Sequence, residues 1–520
     1  MEKLAVIETF SHGVRLSKVS PQLTPCINDF CRQMAHYRLE RNQQGSWVNT
    51  LFKIYGVINK LNRSVLLHRN MWDDLWERLR KHGYSEDNFD MREYMVEAGP
   101  DIDLEMQDWF IPREDQVPIL GYLGEPVASR TLEVQTGKGK SALACKGIVD
   151  DGGRGAFVVL PRYIDKWMAD IGKYMKVKPD DVLLVNTAKA LGQVMAHAQQ
   201  GSLGDFKIVL FSLTTLDIWL KLYESVDADT YPYPYSPQEF MQVIGMRTLV
   251  FDEVHQSAHQ VFNCIIHFHV MKQIYLSATL KSDDAFIMRM YNVAFPIVDR
   301  YKTPEWDKYI DVVALEYGIA DAQKIKTSYR RREYSHAAFE DSIRRNRKLY
   351  KQYMELIWSV VLNDYLRIRQ PGMKMLIFCA KVETCETIVA YVKRKLAKHG
   401  FPELTVSKYV AEDQYSVLLE SDITASTLGS SGTAVDIPDL VVVLMTTNIS
   451  AIAANHQAVG RLRKILKPEW SGVPLRFLYT YCRDIPKQVD YHMKKIRDLE
   501  GIVKSHTTQV STVVLDVNRD

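Results

Sequence analysis

VQTGKGKSALACKGIV, residues 134–149, is the stretch whose reading decides the fold. An apolar strand, TLEV (131–134), runs into a turn carrying Gly137 and Gly139, then into Lys140-Ser141 and a helix-forming segment. The two glycines let the backbone curl so that successive N–H groups face inward, toward phosphate oxygens. The helix starting near Lys140 adds the positive end of its dipole. Thr136, Gly137, Lys138, Gly139, Lys140 and Ser141 are therefore the candidate phosphate-loop residues. Lys140 is placed to reach β/γ-phosphates, and the Ser141 hydroxyl to ligate magnesium. The full GxxxxGKS pattern would begin with Gly at position 134, where this chain has Val134.

Downstream, TLVFDEVHQ (248–256) is an apolar strand that ends in two carboxylates. Asp252 at that tip suits holding magnesium through water, and Glu253 suits orienting and deprotonating the attacking water. With the loop at Lys140, the pair reads as the two halves of an ATP-hydrolysing site with Mg2+. His255 completes a DEVH box. His255 and His259 stand four apart and His267 and His269 follow, but these read as surface or core histidines rather than a zinc site.

Short apolar runs alternate with helical stretches from about Ile111: TLEVQ, AFVVLP, DVLLVN, KIVLFS, RTLVFDE and QIYLSA. A second set begins near Asp311: DVVALEY, KMLIFCA, LTVSKYV, DITAST, LVVVLMT and LRFLYT. Runs that stay apolar rather than alternating suit strands covered on both faces, as in parallel sheets. The expected fold is α/β, with two tandem parallel-sheet domains at 106–300 and 301–485, a small α+β domain at 1–105 and a short extension at 486–520. Within 1–105, Leu51–Asn70 is expected to form two strands around a turn at Asn59–Asn62. Trp72, Leu75, Trp76 and Leu79 mark one helix face, and Ser85–Asp108 reads as a linker.

Composition removes several classes. The 520 residues carry 66 Lys+Arg against 63 Asp+Glu, a net +3, which excludes a histone-like polycation but not a local basic track. Between Asp321 and Lys351 basic residues outnumber acidic ones, and Arg330–Lys351 is a candidate for such a track. Seven scattered cysteines without a CxxC pair argue for a reducing compartment. No apolar run has the length of a membrane helix and the first residues lack a signal-peptide core, so a cytoplasmic location is expected, that of a host cell if the source is viral.

IYLSATL (274–280), SGTAVDIPDL (431–440) and HQAVGRLRK (456–464) complete a set with TGKGKS and DEVH. Their order and spacing resemble motifs I, II, III, V and VI of superfamily-2 helicases across roughly 110–485. The resemblance implies two RecA-like domains that step along nucleic acid as ATP is hydrolysed. Within the superfamily the chain looks most like the UvsW-type recombination and branch-migration DNA helicases of T-even phages, from its small N-terminal domain, the RRNRKLYKQYMELI helix (344–357) and QAVGRLRK followed by LRFLYTYCRD. That likeness implies a role on branched or double-stranded DNA in replication, recombination or repair, with proteins of those processes as partners. An RNA helicase and a motor or clamp subunit of a larger nucleic-acid complex are the alternatives.

The resemblance also assigns residues. Ser277, Thr279, His255 and Asp436 would couple nucleotide state to nucleic-acid grip. Gln457 and Arg461 would face the γ-phosphate. The family's second arginine falls at position 464, where this chain has Lys464, so either a one-residue deletion lets Arg463 take that role or Lys464 fills it poorly, lacking arginine's planar fork. Ala434 stands where motif V usually has Gly. PREDQ (112–116) resembles an adenine-reading segment, which makes Arg113 and Gln116 base contacts. Arg162, Ser212, Thr214, Thr427 and Gly429 fall where motifs Ia, Ib and V meet phosphates.

Overall fold

The structure is a computed structural model that describes residues 3–41, 47–58, 64–135, 137–226, 230–303, 307–329, 333–410, 413–414, 416–431, 437–465 and 467–516. The chain divides into two compact units, residues 1–134 with 138–302, and 135–137 with 303–520.

The first unit begins with β1 (Ala5–Thr9), β2 (Gly13–Ser17), β3 (Ala35–Arg41), β4 (Trp47–Lys53), β5 (Gly56–Ile58), β6 (Ser64–His68) and β7 (Phe89–Glu93). Five of these form a sheet in the order β5-β6-β2-β1-β7, and β3 and β4 pair as a separate antiparallel ribbon. The segment expected to be one hairpin is thus split. Leu51–Lys53 closes the ribbon, while β5 and β6 form the hairpin, with the turn lying outside the described residues along with Lys60 and Arg63. The helix Trp72–Lys81 buries Leu75, Trp76 and Leu79, the expected face. The stretch read as a linker contains β7, which extends the sheet by pairing parallel to β1. Farther along, the same stretch makes single bridges from Asp101 to Gly153 and Met106 to Met175.

The large sheet of this unit comprises β8 (Ser129–Glu133), β9 (Arg154–Val159), β10 (Val182–Val185), β11 (Ile208–Ser212), β12 (Met246–Phe251), β13 (Lys272–Ser277) and β14 (Arg300–Lys302). Its order is β10-β11-β9-β12-β13-β8-β14, with every pairing parallel. β11 and β13 are buried at every residue, which is why their sequences stay apolar instead of alternating. β10, at the edge, is only half covered.

One continuous apolar cluster joins the N-terminal sheet to this domain, running from Ile7, Val14 and Leu66 to Phe262 and Ile266. Polar contacts reinforce it. Lys53 pairs with Glu224 at 2.9 Å, Arg289 donates to the Gln33 carbonyl at 2.7 Å, and Asn70 Nδ2 donates to the Val293 carbonyl at 2.9 Å. His259, His267 and His269 also go into this packing. His259 lies against the Phe52 ring, His267 bonds the Asn263 carbonyl, and His269 accepts from the Ser11 backbone N–H.

The second unit holds β15 (Ile310–Ile319), β16 (Lys374–Cys379), β17 (Val406–Tyr409), β18 (Ile423–Thr427), β19 (Leu440–Met445), β20 (Leu475–Cys482) and β21 (Ser505–Leu515). These form a second seven-stranded sheet in the order β17-β18-β16-β19-β20-β15-β21, again all parallel. The strand-like tail is β21, at the edge beside β15. The segment read as one helix over 344–357 is broken at Asn346, whose side chain accepts from the Leu349 N–H and so ends His336–Arg345 while capping Arg347–Val360. Arg344, Arg345, Arg347 and Lys348 are exposed around that break, and Arg330, Arg331 and Arg332 lie outside the described residues. Two helix-covered parallel sheets in tandem, after a mixed N-terminal sheet, are the RecA-like α/β architecture expected from the sequence.

Candidate active site

All strands of the first large sheet run the same way, so everything that follows a strand gathers at one edge, the usual ligand edge of such sheets. After β8 the chain turns through Gly137 and Gly139, with φ of 92° and 80°, and enters the helix Lys140–Asp151. Gly139 has the left-handed backbone that favours glycine, and a Cβ there would stand 2.6 Å from Gln116 Nε2, so that side chain would have to shift. Gln116 Nε2 and Arg113 Nη2 both donate to the Lys138 carbonyl at 2.9 Å, and Lys138 Nζ pairs with Asp115 at 3.0 Å. PREDQ thus braces the loop from outside. Lys140 Nζ donates to the Val134 carbonyl at 3.2 Å. Thr136 lies outside the described residues.

β12 delivers Asp252 and Glu253 to the same edge, both buried. Trp167 Nε1 donates to Asp252 Oδ2 at 2.7 Å. Burial raises the Asp252 pKa above the usual carboxylate range; Lys166 opposes this and Glu253 adds to it. Glu253 has φ 49°, a left-handed backbone that non-glycine residues adopt at a cost and that is frequent at functional sites. The turn is closed by the Gln256 N–H on the Glu253 carbonyl at 2.9 Å.

β13 lies between β12 and β8 and brings Ser277 and Thr279 alongside. Ser277 Oγ donates to the Thr279 carbonyl at 2.7 Å, which uses its only proton. His255 Nδ1, 2.9 Å from that same oxygen, must then be the donor. Burial lowers the His255 pKa, with Glu253 opposing and Lys140 assisting, which favours the neutral imidazole. Glu253 Oε2 is 3.4 Å from the same nitrogen. The bonded run His255–Ser277–Thr279 thus lies beside Glu253, on the strand next to β8. Leu280 N–H in turn bonds Glu133 Oε1 at 3.1 Å.

Three contributors were not anticipated. Lys166 Nζ lies 3.0 Å from Ser141 Oγ, 3.2 Å from Asp170 and 3.9 Å from Asp252. Burial works against its charge, but Asp252 and Asp170 outweigh burial and raise its pKa. Trp167 holds Asp252, and Gln256 Oε1 accepts from Tyr163 OH at 2.8 Å and from Arg162. The available signal was VVLPRYIDKW (158–167), where an amphipathic helix begins directly after a buried strand. Ser141 and Asp252 offer the hydroxyl and carboxylate oxygens that a hard divalent cation takes, and an ammonium already lies near both, so the donor set fits magnesium.

The remaining expected residues are distributed as follows. Arg162 is exposed on the turn after β9. Ser212 ends β11 and is buried, capping the helix Leu213–Ser225 by accepting from Thr215 N–H at 3.4 Å, while Thr214 is half-buried. Both segments emerge at the same sheet edge as Asp252. In the second unit Thr427 ends β18 and Gly429 is exposed in the short helix Leu428–Ser431. Gln457 lies on the helix Ile452–Val459, and Arg461 follows it, both buried. Arg463 donates to the Gly460 carbonyl, and Lys464 is exposed. Asp436 lies outside the described residues. The Tyr/Pro-rich loop before β12 packs inward, with Tyr231 OH accepting from Trp219 Nε1 at 2.6 Å.

No family model matches the sequence, and no curated protein does. Among solved structures, the chain is similar to the Pyrococcus furiosus Hef helicase domain, with TM-score 0.42 and 12% identity over 74% of this chain and 98% of that one. It is also similar to Mss116p bound to ssRNA and AMP-PNP, with TM-score 0.47 and 15% identity over 76% and 73%. A third likeness is to Mycobacterium smegmatis helicase Lhr bound to ssDNA and AMP-PNP, with TM-score 0.42 and 14% identity over 75% and 48%. Among the described residues, no helix is long and apolar enough to cross a membrane.

Proposed function

We propose that this chain is an ATP-driven superfamily-2 DNA helicase or translocase of the UvsW type, which remodels branched or double-stranded DNA. The observation that carries the reading is the convergence, at one sheet edge, of Lys140, Ser141, Asp252, Glu253, His255 and Ser277, with Glu253 held in a left-handed turn. Chance motifs scattered through 520 residues would have no reason to fold onto one another.

In this reading Lys140 neutralises the β/γ-phosphates and Arg113 and Gln116 read the base. Ser141 and Asp252 hold magnesium, which supplies Lewis-acid charge when bound. Glu253 orients the attacking water and takes its proton. His255 bonds Ser277 and lies beside Glu253, which sets the hydrolytic carboxylate next to the strand that ends in Ser277. Gln457, Arg461 and Arg463 stabilise the charge that develops on the transferred phosphoryl group. Arg162, Thr214, Thr427 and Gly429 hold phosphates of the strand without reading its sequence, as a translocating motor requires. DNA is preferred over RNA on the PREDQ segment, the QAVGR form of motif VI and the N-terminal domain, which we assign to substrate selection.

The deciding experiment is the magnesium-dependent ATPase rate measured in parallel with double-stranded, single-stranded and forked DNA and with RNA. Stimulation greatest on forked or duplex DNA supports the proposal. Stimulation by RNA alone replaces DNA with RNA, and no hydrolysis under any condition removes the motor reading.

A further inference from the structure

Lys166 begins as an ordinary residue in the first turn of the helix Ile164–Tyr174. Its ammonium is ringed by three oxygens from three different elements: Ser141 Oγ at 3.0 Å from the phosphate-loop helix, Asp170 Oδ2 at 3.2 Å from its own helix, and Asp252 Oδ2 at 3.9 Å from the end of β12. It also lies over the Trp167 ring, 4.3 Å from the centroid, and Trp167 donates to the same Asp252 oxygen. Two of the three oxygens are the ones that the proposed function gives to magnesium.

A divalent ion shared by Ser141 and Asp252 and an ammonium at these distances exclude each other. An ion held by Ser141 and, through water, by Asp252 would meet the Lys166 ammonium as a like charge beside the same two oxygens. Lysine's four-carbon stem is flexible, and Asp170, four residues on along the same helix and more exposed than Asp252, is already the nearer carboxylate, at 3.2 Å against 3.9 Å. The side chain therefore has somewhere to withdraw without losing its counter-charge.

We infer that Lys166 is a tethered competitor for the magnesium position: it bonds Ser141 and offsets the charge of Asp252 when the metal is absent, and draws back from both, keeping Asp170 as its partner, when the metal enters. This rests on the proposed ATPase reading. The device has two effects. It spares the fold a buried, unpaired Asp252, and it sets the metal affinity of the site low until a nucleotide's own phosphates add to the ligand set.

The test uses the full chain and Mn2+ as the probe, read by electron paramagnetic resonance with and without ADP. Lys166→Met removes the charge, Lys166→Gln removes it but keeps a polar head, and Lys166→Arg retains it. Lys166→Met and Lys166→Gln are expected to bind Mn2+ about tenfold more tightly than wild type without nucleotide, the scale of one nearby like charge. Lys166→Arg should stay near wild type. Both neutral variants should melt earlier than wild type in EDTA and recover when Mn2+ is added. If Lys166→Met does not fold in EDTA, recovery with Mn2+ and the Lys166→Gln titration carry the same decision. Unchanged or weaker Mn2+ binding in the neutral variants, with wild-type binding that depends on Asp252, overturns the inference and leaves the ATPase reading standing. Absence of Asp252-dependent Mn2+ binding with ADP in every form overturns both.

Discussion

The indole N–H of Trp167 donates to Asp252 Oδ2 across 2.7 Å, where both side chains are buried. A carboxylate there has few other ways to be oriented, since water reaches it poorly. Trp167→Phe keeps the ring and drops the donor. Metal-nucleotide affinity or turnover should fall about 10–100-fold, the usual effect of losing a hydrogen-bond partner behind a metal ligand. Wild-type Mn2+–ADP binding and turnover in a folded Trp167→Phe protein would show that Asp252 is held by other means.

Lys140→Ala should abolish nucleic-acid-stimulated ATP hydrolysis, because the phosphates lose their main protein counter-charge. Glu253→Gln should bind ATP normally and hydrolyse it hardly at all, since glutamine keeps the shape but cannot accept the water's proton. Filter binding of labelled ATP alongside a phosphate-release assay separates the two. Near-normal phosphate release from Glu253→Gln would exclude Glu253 as the base.

The ambiguity at the end of QAVGRLRK is open to mutation. Arg463 reaches back to the Gly460 carbonyl, while Lys464 points to solvent. Arg461→Ala and Arg463→Ala should each lower the hydrolytic rate constant by at least about 10²-fold with little change in ATP affinity, as phosphoryl-transfer arginines do. Lys464→Ala should be mild. A dead Lys464→Ala beside a healthy Arg463→Ala reverses the assignment.

The N-terminal sheet shares its core with the first RecA-like domain, so the two should melt together. Phe262→Ala, on the motor side of that core, should cost about 3–5 kcal/mol and lower a single transition that reports both. A 106–520 fragment would expose that core and is a poor probe of substrate choice. Tyr37 and Leu51 are better probes, being register partners on the β3–β4 ribbon and 66% and 41% exposed. Replacing both with Ala should leave basal hydrolysis intact and reduce activity on forked DNA. Two independent melting transitions, or unchanged fork activity, would count against these roles.

Lys495 gives the second domain a pH signature. It is buried against the Tyr479 ring at 4.3 Å and Met445 Sδ at 3.7 Å, and burial pulls its pKa down to about 7, only partly offset by Asp498. Unfolded lysine titrates near 10.4. Between those values the unfolded chain binds the extra proton, so this group's contribution is complete above the unfolded pKa and is lost as pH falls toward 7. Its slope approaches about 1.4 kcal/mol per pH unit. Lys495→Met should therefore raise the melting temperature most at pH 7, with the gain shrinking toward pH 10. An equal difference at pH 7 and pH 9 would rule out titration of Lys495 as the cause.

How much of this was legible in the sequence depended on whether the signal was local. TGKGKS and DEVH announced themselves because a phosphate loop and a strand-tip carboxylate pair are built from neighbouring residues. The parallel sheets showed through AFVVLP, KIVLFS and LVVVLMT, since strands buried on both faces have no reason to alternate. Lys166 and Trp167 were visible as letters, yet their role exists only because β9 and β12 are neighbours in the sheet, which pattern alone does not give. β7 was hidden in an acidic stretch whose exposed residues, Met91 to Glu93, lack an apolar rhythm, and Arg300–Lys302 is too short to show one. The split of Leu51–Asn70 between two sheets was likewise a matter of partners, not of propensity.

The placement of β15 bears on how the protein is made. Its two neighbours, β20 and β21, are the last two strands of this sheet in sequence order, and ladder partners such as Glu316 and Tyr481 are separated by 165 residues. During synthesis β15 emerges early and then waits, both edges unpaired, while β16 to β19 assemble with one another. Parallel pairing over such distances is slow and leaves aggregation-prone edges exposed in the interval. The second domain thus reaches its native sheet only once β21 has been made. A chain cut short before Ser505 lacks β15's outer partner, and a bulky fusion directly after Leu515 crowds that same seam.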